Sequence, residues 1–200
     1  MSALADLPAE IVATLERLVA EARASGDSEP TAMNLATVDA EGRVAARIVL
    51  LKGVAADGLR FFTNYSSAKG AALAAHAQAA LTFHWKTLGD QVQARFEGIV
   101  ATLTEADSDA YFATRPRESQ LGAWASLQSQ PLPDRATFEA RYAEFERRFE
   151  GAAVPRPPHW GGYRLSPDRV EFWYGARYRL HERVVHVLSD GVWQRGLLYP

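Results

Sequence analysis

Met33-Asn34-Leu35-Ala36-Thr37-Val38-Asp39-Ala40-Glu41-Gly42-Arg43-Val44-Ala45-Ala46-Arg47-Ile48-Val49-Leu50-Leu51-Lys52 is the stretch that decides the fold. Residues 33–38 read as a strand, Asp39 to Gly42 as a turn rich in turn-forming residues, and 43–54 as a second strand. A connection this short can only return the chain antiparallel to itself. Ile48-Val49-Leu50-Leu51 is apolar on both faces, the pattern expected of a strand buried from both sides.

The same alternation of strands and short turns continues outward from this hairpin. Ala56-Asp57-Gly58 turns into a strand at 59–64, a short Ala-rich helix follows at 67–76, and 79–85 and 91–103 read as another strand pair. Later strands are predicted at 160–165, 170–173, 178–188 and 192–197, the last pair joined through Ser189-Asp190-Gly191. Helices are predicted at 8–24, where Ile11, Leu15, Leu18, Val19 and Ala22 recur at three- and four-residue spacing, and at 117–127 and 134–150. Thr104 is placed to cap a further helix running to Thr114, with Glu105 and Asp107 in its first turn. Val154-Pro155-Arg156-Pro157-Pro158 is a stiff, extended linker. The expected fold class is mainly β with peripheral α-helices, an antiparallel barrel of Greek-key-like connectivity. One domain over residues 1–200 is expected, with a helix and arm at 1–29 and a barrel with inserted helices at 30–200.

The chain has 200 residues, of which 48% are hydrophobic and 23% charged, ordinary for a globular protein. A net charge of −2 supplies no basic field for nucleic acid or an anionic membrane. Of the 22 basic residues only Lys52, Lys69 and Lys86 are lysines; the rest are arginines, which suit bidentate recognition of phosphate and carboxylate. With no cysteine, thiol catalysis, disulfides and Cys-ligated metals are excluded. His76, His84, His159, His181 and His186 lack metal-ligand spacing, so no metal site is expected. Residues 1–8 carry no apolar run, and no stretch approaches the roughly 20 apolar residues that span a bilayer, so a cytoplasmic location is expected.

The usual nucleotide-binding glycine loops and the Gly-x-Ser-x-Gly elbow are absent. Three polar clusters remain. Arg47 and Lys52 bracket a strongly apolar strand, and Thr63-Asn64-Tyr65-Ser66-Ser67-Ala68-Lys69-Gly70 sets hydroxyls and a cation at a helix N-terminus, a layout that can hold phosphate. Tyr111-Phe112-Ala113-Thr114-Arg115-Pro116-Arg117-Glu118-Ser119-Gln120 combines a phenol, two guanidinium groups and a hydroxyl across a Pro-broken helix junction. In Arg177-Tyr178-Arg179-Leu180-His181-Glu182-Arg183, extended backbone would turn Arg177, Arg179, His181 and Arg183 to one face. By spacing alone these clusters fit either solvated polar patches, an aggregation-resistant edge strand among them, or sites for two phosphorylated small molecules.

Arg47-Ile48-Val49-Leu50-Leu51-Lys52, Phe62-Thr63-Asn64, Ser67-Ala68-Lys69-Gly70, Arg115-Pro116-Arg117-Glu118-Ser119-Gln120-Leu121-Gly122-Ala123-Trp124-Ala125-Ser126, Trp160-Gly161-Gly162-Tyr163, Glu171-Phe172-Trp173-Tyr174-Gly175 and Arg179-Leu180-His181-Glu182-Arg183 occur in that order. Together they resemble the pyridoxamine 5′-phosphate oxidase family over about residues 30–200. The resemblance implies an FMN-binding split β-barrel homodimer with FMN at the subunit interface. It implies oxidation of pyridoxamine 5′-phosphate or pyridoxine 5′-phosphate to pyridoxal 5′-phosphate by O2, releasing H2O2 and, from the amine, ammonia, as the last step of vitamin B6 cofactor synthesis and salvage.

Carried over by matching positions, Arg47, Lys69, Gln128 and Ser129 correspond to contacts with the FMN phosphate or ribityl chain. Ile48, Val49, Leu50, Leu51, Lys52, Phe62, Thr63, Gln91, Trp173 and Arg183 correspond to further flavin contacts. Lys52, Tyr111, Arg115 and Ser119 match the clamp on the substrate phosphate, and Arg179, Leu180 and His181 the segment covering the pyridine ring, with Arg179 and His181 in the catalytic role. The chain departs from the family's usual pattern at Ala68 and Leu198, where arginine is common, at Asp90, where a basic residue is usual, and in a short N-terminal arm. A same-fold flavin oxidase of phenazine-type metabolism, and a non-catalytic flavin or pyridoxal phosphate binder, are the alternatives.

Overall fold

The computed structural model describes residues 5–200; residues 1–4 of the segment 1–8 read above lie outside them. Helix α1 (Ala9–Ala24) follows Pro8 and buries the stripe Ile11, Leu15, Leu18 and Ala22 against the sheet. The hairpin predicted from residues 33–52 forms as β1 (Ala32–Val38) and β2 (Val44–Leu50), in register from Ala32↔Leu50 to Val38↔Val44. Gly42 at φ +81° supplies the left-handed turn position.

The second strand stops at Leu50, short of the predicted residue 54. Leu51 and Lys52 cross over, and β3 (Gly53–Ala55) then pairs with β4 (Gly58–Asn64) instead of β1. The backbone marks the crossing: Leu51 N–H donates to Thr31 O at 2.9 Å, while Lys52 N–H donates to Arg60 O at 2.8 Å. The remaining strands are β5 (Gln78–Trp85), β6 (Val92–Thr102), β7 (Trp160–Tyr174), β8 (Glu182–Ser189) and β9 (Val192–Leu198).

The sheet path runs β2-β1-β5-β6-β7-β4-β3, every pair antiparallel, with β8 and β9 branching from β7. β2 and β3 are the two ends of that path, yet two residues join them. Leu51 and Lys52 span at most about 10 Å, so the sheet has to curl until its ends meet. The curl encloses a core of Met33, Leu35, Leu59, Phe61, Leu81, Phe83, Trp85, Phe96, Leu165 and Phe172, with α1 plugged into it.

β7 was expected as two strands and is one of fifteen residues. Its first half pairs β4, its second half pairs β8, and β6 follows it from Tyr163 to Tyr174, so the barrel splits along this strand. A register shift after Glu97 accommodates the bend, and Gly98 is the residue it requires: a Cβ there would lie 2.2 Å from Ser166 O. Gly98→Ala is expected to cost about 1–3 kcal/mol, a melting temperature lower by roughly 2–12 °C in a thermal melt.

Two strand expectations are corrected. Ile48 is 63% exposed, and Val44 likewise faces solvent, so β2 is an outer strand of one chain and not buried on both faces. Arg177–Arg179 forms a 3-10 turn with Tyr178 at φ +59° and Arg179 at φ +63°, and the strand begins only at Glu182. Left-handed backbone breaks the two-residue alternation, so Arg177, Arg179, His181 and Arg183 do not share one strand face.

Helix α2 (Ala68–Ala75) is capped by Ser67, whose Oγ accepts from Gly70 N–H. Helices α3 (Glu105–Ala113), α4 (Arg117–Ala125) and α5 (Arg135–Arg148) pack outside the barrel around Phe112, Leu121, Val154 and Trp160. No helix among the described residues is long and apolar enough to cross a membrane.

On the other flank, α1 covers His186 of β8, which is 5% exposed, with Nε2 3.3 Å from Glu10 Oε1. Burial lowers the pKa of His186 and outweighs the opposing pull of Glu10; Arg195 lowers it further. A histidine whose folded pKa is depressed contributes stability that is complete above its unfolded value near 6.5 and is lost as the pH falls. The melting temperature is therefore expected to drop between pH 7.5 and 5.5, and His186→Gln to flatten that slope; a parallel slope in the variant would assign the pH dependence to other groups.

Candidate functional site

A cavity of about 740 Å³ opens between the barrel seam and the helical cluster. Ile48, Val49, Leu50 and Lys52 line one wall, Phe62, Thr63, Asn64 and Lys69 a second, and Tyr111, Arg115, Ser119, Gln128 and Trp160 the third. The crossover after β2 brings Lys52 to the rim, β4 carries Phe62 and Thr63, and the Ser67 cap fixes the turn from which Lys69 points inward. Pro116 ends α3's continuation and starts α4, setting Arg115 and Ser119 around one corner.

Within this cavity Lys69 Nζ donates to Gln128 Oε1 at 2.8 Å, Thr63 Oγ1 at 3.0 Å and Ser67 Oγ at 3.2 Å, all uncharged acceptors. Burial, reinforced by the charge of Arg47, lowers the Lys69 pKa. Arg115 lies over the Trp160 ring at 4.5 Å, and its Nη1 is buried with no hydrogen-bond partner among the described residues. Burial lowers its pKa while Tyr111 pulls the other way. Tyr111 stacks on Phe62 with centroids 3.9 Å apart, which fixes the phenol beside Arg115. Lys52, Lys69 and Arg115 thus share a cavity whose lining contains no carboxylate. Such a charge set is costly to hold without a counter-ion, so the cavity suits an anionic ligand. Its volume and its separate Lys69 and Arg115 poles fit a phosphorylated cofactor beside a second phosphorylated molecule.

Other candidate positions lie elsewhere. Arg47 turns its Nη1 to Leu35 O at 3.0 Å and Thr37 Oγ1 at 2.8 Å and does not line the cavity. Leu51 is buried in the barrel core, and Ser129, at φ +73°, sits in the loop beyond α4 beside Gln128. Gln91, at φ +82° just before β6, bonds His84 across 2.9 Å. Trp173 and His181 have ring centroids 4.5 Å apart, Arg183 Nε donates to Glu171 at 2.7 Å, and Arg179 and Leu180 are exposed in the turn between β7 and β8. Trp160 lines the cavity and Trp173 stands thirteen positions further along the same strand β7, up to roughly 40 Å away in extended backbone. None of Gln91, Trp173, Arg179, Leu180, His181 and Arg183 lines this cavity within the described chain.

Trp160, the platform beneath Arg115, and Ser126 line the cavity without having been given a site role from the sequence, whereas Asn64 and Thr114 line it from within the polar clusters read there. An arginine beside an aromatic is a recognisable pairing, but Arg115 and Trp160 come together only through the fold.

A family model described as Pyridoxamine 5′-phosphate oxidase matches residues 18–149, and one described as Pyridoxine 5′-phosphate oxidase C-terminal dimerisation region matches residues 160–200. The chain is 52% identical over 189 residues to a pyridoxine/pyridoxamine 5′-phosphate oxidase of Sphingopyxis alaskensis, covering 94% of this chain and 87% of that one. It is 50% identical over 199 residues to the protein of the same name from Xanthomonas oryzae pv. oryzae, covering 98% and 100%. Among solved structures, PhzG from Burkholderia lata 383, in complex with tetrahydrophenazine-1-carboxylic acid, superposes with a TM-score of 0.90 at 32% identity, covering 98% of this chain and 95% of that one. A pyridoxamine 5′-phosphate oxidase-related, FMN binding protein from Nostoc punctiforme shares the fold with a TM-score of 0.75 at 18% identity, covering 97% and 100%. With matches over both halves and half of all residues shared with full-length relatives, the chain belongs to the pyridoxamine 5′-phosphate oxidase family.

Proposed function

We propose that the protein is an FMN-dependent oxidase converting pyridoxamine 5′-phosphate or pyridoxine 5′-phosphate to pyridoxal 5′-phosphate. O2 accepts the electron pair and is released as H2O2; with the amine, water enters and ammonia leaves. The observation that carries this reading is the carboxylate-free cavity with two cationic poles, in a chain whose half-identical relatives bear that enzyme's name.

Lys69, with Thr63, Gln128 and the neighbouring Arg47 and Ser129, would hold the FMN phosphate and ribityl chain; Ile48, Val49, Leu50 and Phe62 would flank its ring. When bound, FMN supplies the two-electron redox chemistry. Lys52, Tyr111, Arg115 and Ser119 would clamp the substrate phosphate, so that remote binding energy orients the reacting carbon. Arg179, Leu180 and His181 would cover the pyridine ring, and Gln91, Trp173 and Arg183 would reach the flavin. Because that second set does not line the cavity within one chain, a second copy of the chain would supply it, with the flavin at the interface of a homodimer. The exposed apolar residues Ile48, Leu180 and Leu197 suit such a surface, and the region 160–200 matches a dimerisation model.

A second reading is favoured by the likeness to PhzG: oxidation of a phenazine-type ring. It does not require the phosphate clamp of Lys52, Tyr111, Arg115 and Ser119. Purified protein is expected to be yellow, dimeric in sedimentation, and to form pyridoxal 5′-phosphate with oxygen uptake. FMN-loaded dimer inert toward both phosphorylated substrates but active on a dihydrophenazine acid would overturn the reading in favour of the second.

A further inference from the structure

Glu171 is the buried carboxylate that no binding role above explains. It is 5% exposed in the middle of β7, where Oε1 accepts from Arg183 Nε at 2.7 Å and Oε2 accepts from Arg95 Nη2 at 2.8 Å. Arg169 Nη2 stands 4.0 Å off, and Arg95 Nε is also paired with Glu97 at 2.7 Å. Burial alone would raise the Glu171 pKa, but the Arg183 hydrogen bond and the charges of Arg95, Arg183 and Arg169 prevail and lower it. A carboxylate is costly to bury, and an apolar residue would fill a β-sheet interior as well.

What the pair does is fix a guanidinium. Arg183 lies opposite Trp173 in the β7–β8 ladder, and Glu171 shares the Trp173 face two residues away. Arg183 gives Nε to Glu171 and Nη1 to Tyr199 O at 3.2 Å, while Nη2 keeps no partner among the described residues. Two anchored corners leave a planar cation with one edge free, on the face where the His181 ring packs at a tilt against Trp173. We infer that Glu171 is the positioning residue that aims Arg183 at the flavin, an inference that rests on the FMN reading above.

The sign of the effect separates aiming from bulk electrostatics. Glu171→Gln removes a negative charge, so the field of the site becomes more positive and, through charge alone, anionic FMN would bind more tightly. Loss of aim acts oppositely, because the amide presents a donor edge to the arginines.

FMN is titrated into wild type, Glu171→Gln, Arg183→Gln and the double variant, read by quenching of flavin fluorescence and by visible circular dichroism of the bound flavin. The expected result is FMN weakened about tenfold or more by Glu171→Gln, with an altered flavin dichroism, and less than about twofold further change when Arg183 is already glutamine. Unchanged or tighter FMN in Glu171→Gln overturns the inference, as does an equal loss in the Arg183→Gln background. If Glu171→Gln does not fold, Glu171→Asp takes its place, with the same expected weakening; a failure of both to fold makes the carboxylate structural and also overturns it. Wild type that takes up no FMN sinks the cofactor reading itself, whereas wild type that binds beside indifferent variants sinks only the role of Glu171.

Discussion

Replacing Lys69 with alanine is expected to raise the FMN dissociation constant roughly ten- to a hundredfold, the equivalent of the about 1.5–3 kcal/mol carried by a charge-assisted hydrogen bond. Lys69 is half-buried, its three acceptors are all neutral, and Arg47 is the charged neighbour that most affects it. A cation held this way is destabilising until an anion arrives, so the substitution separates two quantities that usually fall together. The ligand-free protein is expected to melt no lower than wild type, while the stabilisation that FMN adds shrinks. Lys69→Arg keeps the charge but not the ammonium geometry that fits between Thr63 and Gln128, and is expected to fall between the two. Flavin affinity unchanged in Lys69→Ala would remove Lys69 from the phosphate pole.

Arg115→Ala is expected to lower kcat/KM for pyridoxamine 5′-phosphate roughly ten- to a hundredfold, mostly through KM, and to leave FMN binding within about twofold. The guanidinium is held by Trp160 and Phe112 through its faces, which leaves its edge for a phosphate, and the buried Nη1 has no acceptor among the described residues. Steady-state assays with the phosphorylated substrate and with pyridoxamine itself test the assignment. A phosphate contact is lost only on the former, so the preference for the phosphorylated compound collapses. An equal fall on both substrates would mean that Arg115 supports the wall and not the ligand.

The elements that local chemistry dictates were legible in the sequence. Apolar spacing located α1, and the turn at Asp39 to Gly42 located the first hairpin. A hydroxyl cap at Thr104 located one helix start, and the Ala-rich run after Ser67 located α2. What failed were inferences from side-chain alternation where backbone conformation is unusual. Nothing in the residue types of Arg177 to Arg183 announces left-handed Tyr178 and Arg179, non-glycine residues that adopt positive φ only under the constraint of surrounding structure. The run Ile48 to Leu51 misled for another reason. An apolar strand looks the same in sequence whether its own chain or another copy covers it, and here one chain leaves Ile48 open.

The site was legible in pieces. Thr63 and Lys69 are close in the chain, whereas Gln128, 59 residues beyond Lys69, was reachable only through resemblance to a family. The pairing of Arg115 with Trp160 and that of Glu171 with Arg183 depend on the branching of β7, a global property that no local pattern encodes.

The two-residue crossover at Leu51 and Lys52 has a kinetic consequence. β1 and β2 can form early as a local hairpin, but β3 and β4 find their place only when β7, about a hundred residues downstream at Leu59↔Leu165, has been laid against them. The wall bearing Ile48 to Lys52 and the wall bearing Phe62 and Thr63 come to face each other at that last closure. The cavity is thus expected to form late in folding, and its seam to be where the barrel first reopens. A ligand bridging the seam slows that reopening, so flavin release and the first step of unfolding would share one rate.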